Sequence, residues 1–352
     1  MSGHGTRDYA FDNIRAVMLF LVAFGHTLDV YLSSGAIETD LMKYIYLFHM
    51  PMFSFITGYF TKDLEKAHKT AIEKCLIPYL LFQGVYILAA KGMIWAGAAT
   101  FNSDVFNASL LLPSSAFYYL LAVFFWKLSA QVLFRLRHPL ILSVIAALLV
   151  SLTPFSDWHT GRGAFFTLIP FFIAGVLCSR AQVERIRRMP KAAAFLIMVL
   201  GILPAVFLPY AIHSVRLTYA DAGFTAVSGI LYRCVFYLTA ALMCAAIICL
   251  IPGKKLPISG IGQASIVVYA ASTFLCPHAY IALRKVLLPE LSRPVNMIGM
   301  IVFSGIVVWL FSLPVFTRIY QTVTQFLVRL FLTGTYNGTA GVSKQINKGK
   351  KK

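Results

Sequence analysis

Long apolar runs alternate along the chain with short polar stretches, and the longer runs have the roughly 20 residues that a helix needs to cross about 30 Å of hydrocarbon. Ten such segments fall near residues 13–33, 43–60, 75–97, 114–134, 138–154, 163–179, 191–212, 225–251, 259–283 and 295–317. The second and the fifth are short. The pattern predicts an all-α fold, a polytopic membrane bundle of about ten transmembrane helices, with no internal repeat and no second soluble domain. Residues 1–333 read as one membrane-embedded unit, within which 319–333 are expected to form an interfacial helix. The tail, 334–352, ends in Asn-Lys-Gly-Lys-Lys-Lys and reads as a disordered basic segment attracted to anionic lipid headgroups.

Charge supports this ladder and orients it. Cytoplasmic loops collect Lys and Arg. With the N-terminus inside, the inner segments carry most of the bases, including Arg7, Lys62, Lys66, Arg180, Arg187 and Lys254, while the outer loops hold only Lys43, Arg162, Arg216, Arg284, Lys285 and Arg293. Both termini are therefore expected in the cytoplasm, although the outer loop 284–294 runs against the trend. Composition agrees: of 352 residues 59% are hydrophobic and 12% charged, against about 25% charged in soluble proteins. The net charge of +18 would suit nucleic acid only as a basic patch on a solvated fold; here the bases sit between apolar runs, so no nucleic acid partner is expected. Six cysteines lie in or at the ends of apolar runs without a CxxC pair, which gives neither a disulfide nor a metal signal. Arg7 and Arg15 before an apolar run resemble a signal peptide, but His26 and Asp29 interrupt the run and no clean cleavage site follows near Ser34, so the first helix is expected to remain.

Ionisable groups inside such helices are costly and point to function. Arg15 and His26 stand eleven positions apart in the first segment, and eleven steps of 100° return to nearly the same face about 16 Å further on. Asp12, Val22 and Asp29 join the same stripe. In the second segment His49 precedes Pro51 and, like His26, stands about six residues from the outer end of its helix. Adjacent antiparallel helices would bring the two imidazoles to one depth.

Arg15, ten intervening residues and His26 resemble the signature of the integral-membrane acyltransferase family 3. Phe48-His-Met-Pro-Met-Phe53 and Ile56-Thr-Gly-Tyr-Phe60 resemble its second block, and Phe165 to Gly175 and Gly260 to Tyr269 resemble later, weaker blocks. Together they cover most of the chain in family order, with the nearest likeness to the fucose O-acetylase-like branch. Two positions depart from the pattern: Ser272 stands where the family often has a histidine three positions after Tyr269, and Thr57-Gly58 replaces a common Ser-Gly.

The resemblance implies an O-acyltransferase that moves an acyl group, usually acetyl, from cytoplasmic acetyl-CoA or another acyl-CoA to a hydroxyl of a saccharide or lipid-linked saccharide, in a bacterial inner or plasma membrane. The acyl-CoA is a donor substrate; no permanent cofactor and no metal is expected. Arginine's planar fork suits phosphate, so Arg15, helped by Lys62 and Arg180, would hold the coenzyme while its thioester reaches His26, an extended pantetheine arm being of the order of the Arg15 to His26 offset. An unperturbed imidazole has a pKa near 6.5, which suits a general base; His26 would take that role, in preference to forming a covalent acyl-histidine, while Asp29 would orient it and His49 would tune it or position the substrate. Arg233, about eight residues into the eighth segment, would stabilise the oxyanion. Each has a plainer alternative: Lys62 as a positive-inside lysine, Asp29 as a helix-end carboxylate, His49 as a histidine beside a proline kink, Arg233 as a buried ion-pair partner. A proton-coupled secondary transporter is the competing function, and an envelope scaffold or sensor a third; against the transporter, no pair of broken segments recurs in corresponding halves.

Overall fold

The computed structural model describes residues 8–29, 36–95, 109–156, 161–209, 215–287 and 292–332. Among them the secondary structure is helical throughout, with no strand. In chain order the helices are α1 (Ala10–Leu28), α2 (Ala36–Tyr59), α3 (Leu64–Lys69), α4 (Ile77–Trp95, entered through a π-helical turn Ile72–Leu76), α5 (Tyr118–Leu133, entered through a 3-10 turn Ser115–Phe117), α6 (Pro139–Val150), α7 (Arg162–Leu177), α8 (Arg180–Arg187), α9 (Lys191–Leu200), α10 (Ile202–Phe207), α11 (Ala226–Leu250), α12 (Ser259–Gln263), α13 (Ser265–Leu287), α14 (Arg293–Phe311) and α15 (Pro314–Phe331).

Each of the ten apolar intervals contains helix. By length and apolarity taken alone, however, five helices can cross a membrane: α1, Ile72–Gly92, Ser115–Leu133, α11 and α14, or six with the bent pair α7 and α8. The expected spans break where local chemistry demands it. Segment 191–212 divides at Gly201, three residues before Pro204, which stands in the first turn of α10 and lacks the N–H that would continue the ladder; residues 210–212 lie outside the described residues. The chain turns by 100° between α7 and α8, because Cys178 is extended and Ser179 starts a new helix with a capping box to Gln182. Segment 259–283 divides at Ala264 into α12 and α13. The helix expected over 319–333 begins at Pro314, none of its residues is buried, and Tyr320 stacks on Phe82 of α4 at 5.5 Å. The basic tail 334–352 lies outside the described residues.

At the centre stands α1. It is 72% buried where the other four long apolar helices are 28–50% buried, and it is packed against α2, α12, α13 and α14. A helix so enclosed must satisfy its polar side chains within the protein. Thr27 does so with the Phe24 carbonyl at 2.7 Å and Ser304 of α14 at 3.2 Å. Against the far side of α2 lies α7, and the two backbones touch: a Cβ at Gly58 would stand 1.9 Å from the Phe172 carbonyl oxygen, and one at Gly175 would stand 2.1 Å from that of Phe55. Small residues allow such close crossings in membrane bundles.

The start of α2 lies outside the expected span 43–60 and is held by ion pairs. Buried Glu38 takes a fork of bonds from Arg293, at 2.8 Å from Nε and a shorter contact from Nη2, tying α2 to the start of α14. Hydrogen bonding to Arg293 holds the Glu38 carboxyl below its ordinary value of 4.5. A carboxylate with a depressed folded-state pKa adds stability above its unfolded pKa and loses it as pH falls through the folded one. The melting temperature in detergent is therefore expected to fall as pH drops below about 4.5, and Glu38→Gln should flatten that limb; an identical acid limb in the variant would refute the assignment.

Candidate functional site

The Arg15 end of the α1 stripe is built by the turns that follow α11. Asn13 donates from Nδ2 to the carbonyls of Pro252 (2.8 Å) and Lys254 (3.0 Å) and accepts from Ser259 Oγ (2.6 Å). Gly262 brings α12 so close that a Cβ there would stand 1.9 Å from the Asp12 carbonyl oxygen, and Gln263 Nε2 reaches the Asp12 carboxylate at 3.5 Å. Asp12 in turn stands 3.5 Å from Arg15 Nη1. The guanidinium lies 4.8 Å over the Phe60 ring, a cation–π arrangement, and its side chain keeps 24% exposure. Phe60 belongs to an aromatic patch in which Phe11 and Tyr59 are 4.7 Å apart and Phe11 and Phe60 are 5.3 Å apart. The Gly-Ile-Gly-Gln turn thus positions the arginine through Asp12.

Three residues expected at the reactive end come together there. His26 Nδ1 stands 3.4 Å from Asp29 Oδ2, and the Tyr46 hydroxyl donates to Asp29, 3.0 Å from each oxygen. The Tyr46 ring lies 4.9 Å from that of His49. His49 is buried and its Nδ1 donates to the Ile45 carbonyl at 2.9 Å. Nδ1 of His26 is thus directed at a carboxylate that a phenol also holds, which leaves Nε2 outside the pair. The end is not sealed: the His26 side chain is 13% exposed and that of Asp29 33%.

The remaining expected residues are placed differently. Lys62 lies 4.8 Å over the Tyr59 ring, near the aromatic patch, but its ammonium donates to the carbonyls of Gly175 (2.9 Å), Val176 (2.7 Å) and Cys178 (2.6 Å). An ammonium has three donors, so Lys62 caps the carbonyl end of α7, where a cation is favoured. Arg180 is 84% exposed, pairs with Glu184 at 3.0 Å, and its charge acts on Tyr59. Arg233 is fully buried, 5.5 Å over the Phe236 ring and in electrostatic contact with Tyr219 and Tyr237. Counting residues along a span gives depth but not facing, and Arg233 faces the segment that precedes α11. Ser272 returns its hydroxyl to the Tyr269 carbonyl at 2.9 Å, and Thr57 meets the Tyr119 hydroxyl at 2.9 Å, so the hydroxyl common at that position is put to use.

Sequence reasoning missed His278. Its Nε2 stands 3.4 Å from the Tyr86 hydroxyl, and Phe274 flanks it at 5.9 Å. A histidine next to a proline inside an apolar run, Pro277-His278, is visible in the sequence, but no depth match to His26 or family block singles it out. His278 thus adds a third histidine on α13, a helix packed against α1.

A stretch of 61 residues, 16% of the chain, is 36% identical to the nodulation protein NolL of Sinorhizobium fredii (strain NBRC 101917 / NGR234) and spans 17% of that protein. No solved structure matches. The acyltransferase domain family, acyltransferase 3, matches residues 8–316, from the turn before α1 through the end of α14 to the start of α15. The chain belongs to that acyltransferase family.

Proposed function

We propose that the protein is an acyl-CoA-dependent membrane O-acyltransferase that passes an acyl group, acetyl in the first instance, to a hydroxyl of a cell-envelope or exported glycan, with His26 as general base. The finer likeness to fucose O-acetylases fits a saccharide acceptor. One observation carries the reading: Arg15 and His26 stand at two ends of one buried helical stripe, about 16 Å apart, the first on an aromatic and basic patch and the second oriented by Asp29. Ten spans complete the fold when α2, α6, α7, the α9 and α10 pair and α13 join the five long apolar helices. Both termini then lie in the cytoplasm, with Arg15 near that face.

Arg15 receives the coenzyme phosphates and the pantetheine arm runs along α1. His26 Nε2 takes the proton of the acceptor hydroxyl as its oxygen attacks the thioester carbonyl. The tetrahedral intermediate collapses, the C–S bond breaks, and the imidazolium returns its proton to the departing thiolate. Asp29 stabilises the imidazolium while it exists. Direct transfer needs no group beyond these.

Inside-out membrane vesicles supplied with acetyl-labelled acetyl-CoA test the reading. Label is expected to enter the saccharide fraction, with free coenzyme A released in step, and Arg15→Ala should raise KM for acetyl-CoA about tenfold, the loss of a charge-assisted phosphate contact. Absence of label in that fraction from a well-expressed protein would sink the proposal.

A further inference from the structure

Phe60 is the most exposed ring of the aromatic patch under Arg15. It keeps 57% exposure while Phe11 is buried and Tyr59 is half-buried. On the lipid side of a long helix such a ring would face hydrocarbon. Phe60 instead stands in the turn between α2 and α3, and the side chains of Lys62, Asp63, Glu65 and Lys66 that follow it are exposed, a run of ions that hydrocarbon does not accept. The turn is pinned on both sides of the ring. The Phe60 N–H donates to the Ile56 carbonyl at 3.1 Å and the Thr61 N–H to that of Gly58 at 2.8 Å, while buried Thr61 returns its hydroxyl to the Thr57 carbonyl at 2.7 Å. Asp63 then caps α3, accepting from the Lys66 N–H at 2.9 Å.

The neighbours of the ring decide what could cover it. The Arg15 guanidinium lies 4.8 Å over it, and Phe11 and Tyr59 meet it edge to face, each at 5.3 Å with interplanar angles of 83° and 89°. These contacts orient the ring and still leave more than half of its surface open. Cations rim the patch: Lys62 lies 4.8 Å over the Tyr59 ring, and Asn13, two residues before Arg15, holds the Lys254 carbonyl at 3.0 Å, with the side chains of Lys254 and Lys255 exposed. An open aromatic face beside an arginine suits a planar base joined to phosphates, because any base has a face to stack and the guanidinium fork matches a phosphate. An apolar chain would gain nothing from the cations, and inorganic phosphate nothing from the ring.

We propose that Phe60 is the stacking platform for the adenine ring of the acyl-CoA donor, and so the residue that lets the protein prefer a nucleotide-bearing thioester to a bare one. The assignment rests on the acyl-CoA reading given above. Adenosine and phosphates are joined in one coenzyme, and ring and guanidinium are 4.8 Å apart, so a single molecule reaches both. Phe60 takes no part in making or breaking the acyl bond; it sets which donor is held.

Acetyl-CoA and S-acetyl phosphopantetheine, which keeps a phosphate and the thioester but lacks adenosine, test this as parallel donors, with melting temperature measured alongside. In the wild-type protein KM for the truncated donor should be at least about tenfold higher, the loss of one stacked base. Phe60→Ala is expected to raise KM for acetyl-CoA about tenfold, with kcat within about twofold, and to leave KM for the truncated donor within about twofold. Phe60→Trp, with a larger face, should hold KM for acetyl-CoA at or below the wild-type value. Arg15→Ala is the contrast and should raise KM for both donors, since both carry phosphate. Binding of adenosine bisphosphate to the purified protein in detergent gives a readout free of turnover, and Phe60→Ala should weaken it about tenfold. Equal wild-type KM for the two donors overturns the proposal, as does an unchanged KM for acetyl-CoA in Phe60→Ala. Equal losses with both donors in that variant would show that the ring only supports Arg15, which overturns it too; in all three cases the acyltransferase reading stands. A wild-type protein that transfers no acetyl and binds neither acetyl-CoA nor the bisphosphate overturns both.

Discussion

His26→Ala is expected to abolish acyl transfer, lowering kcat by about 10²–10⁴-fold, the range that a positioned general base supplies. The protein should still fold. His26 is partly exposed and its recorded polar partner is Asp29 one turn away, which Tyr46 continues to hold, so the substitution leaves no buried carboxylate without a donor. KM for acetyl-CoA should change little, because Arg15 and its aromatic patch stand about 16 Å away along α1. Asp29→Asn gives a graded control. An amide keeps the size of the side chain but removes the charge that stabilises the imidazolium, so transfer should drop by less than in His26→Ala with the helix intact. Labelled acetyl transfer in vesicles, normalised to protein amount, measures both. Wild-type turnover in His26→Ala would remove the base from the mechanism and shift attention to His49, the other imidazole at that end, or to His278 of α13.

The parts of this arrangement that could be read along the chain share one property: they follow from spacing within a helix. Apolar run lengths locate helix in every expected interval, and the 100° step places Asp12, Arg15, His26 and Asp29 on a common stripe because α1 is regular from Ala10 to Leu28. Contacts between helices do not follow from spacing. Lys62 lies beside the aromatic patch under Arg15, yet its partners are carbonyls 113, 114 and 116 positions away, which no local pattern announces. Arg233 fails for the same reason: its depth is calculable, but its facing is set by Tyr219 and the packing of α11. The breaks at Gly201 and Ala264 went unread because hydropathy averages over a whole segment, while a helix ends on single residues, a proline without an N–H or a glycine pressed against another backbone. Arg216 had been counted only as an outer-loop charge. Its bond to the Ser115 carbonyl depends on a turn in which Ser115, a residue with no preference for positive φ, adopts one.

The largest loss of stability is expected from Gly58→Ala. The added Cβ would stand 1.9 Å from the Phe172 carbonyl oxygen and 2.8 Å from the carbonyl carbon, distances that require movement. A flexible side chain would yield cheaply, but these atoms belong to the backbone of α7, and the reciprocal contact at Gly175 meets the Phe55 carbonyl oxygen and the Tyr59 amide nitrogen of α2. The two helices therefore cannot slide apart at one glycine without opening at the other. Overpacking a well-packed core costs about 1–3 kcal/mol, and here the cost should lie at or above the top of that range because two rigid helices must separate. Separation also strikes the site: α2 carries Tyr46 and His49 at the reactive end and Phe60 follows it at the arginine end, while the three carbonyls that hold Lys62 belong to the end of α7 and the turn after it. Melting temperature by size-exclusion in detergent should fall by several degrees or folded protein should be lost, with Gly175→Ala behaving alike. A double variant should fall short of the sum of the two losses, since one separation relieves both clashes. A folded Gly58→Ala protein with wild-type melting temperature would show that α2 and α7 do not cross this closely, and would detach the second family block from the geometry that makes its glycine necessary.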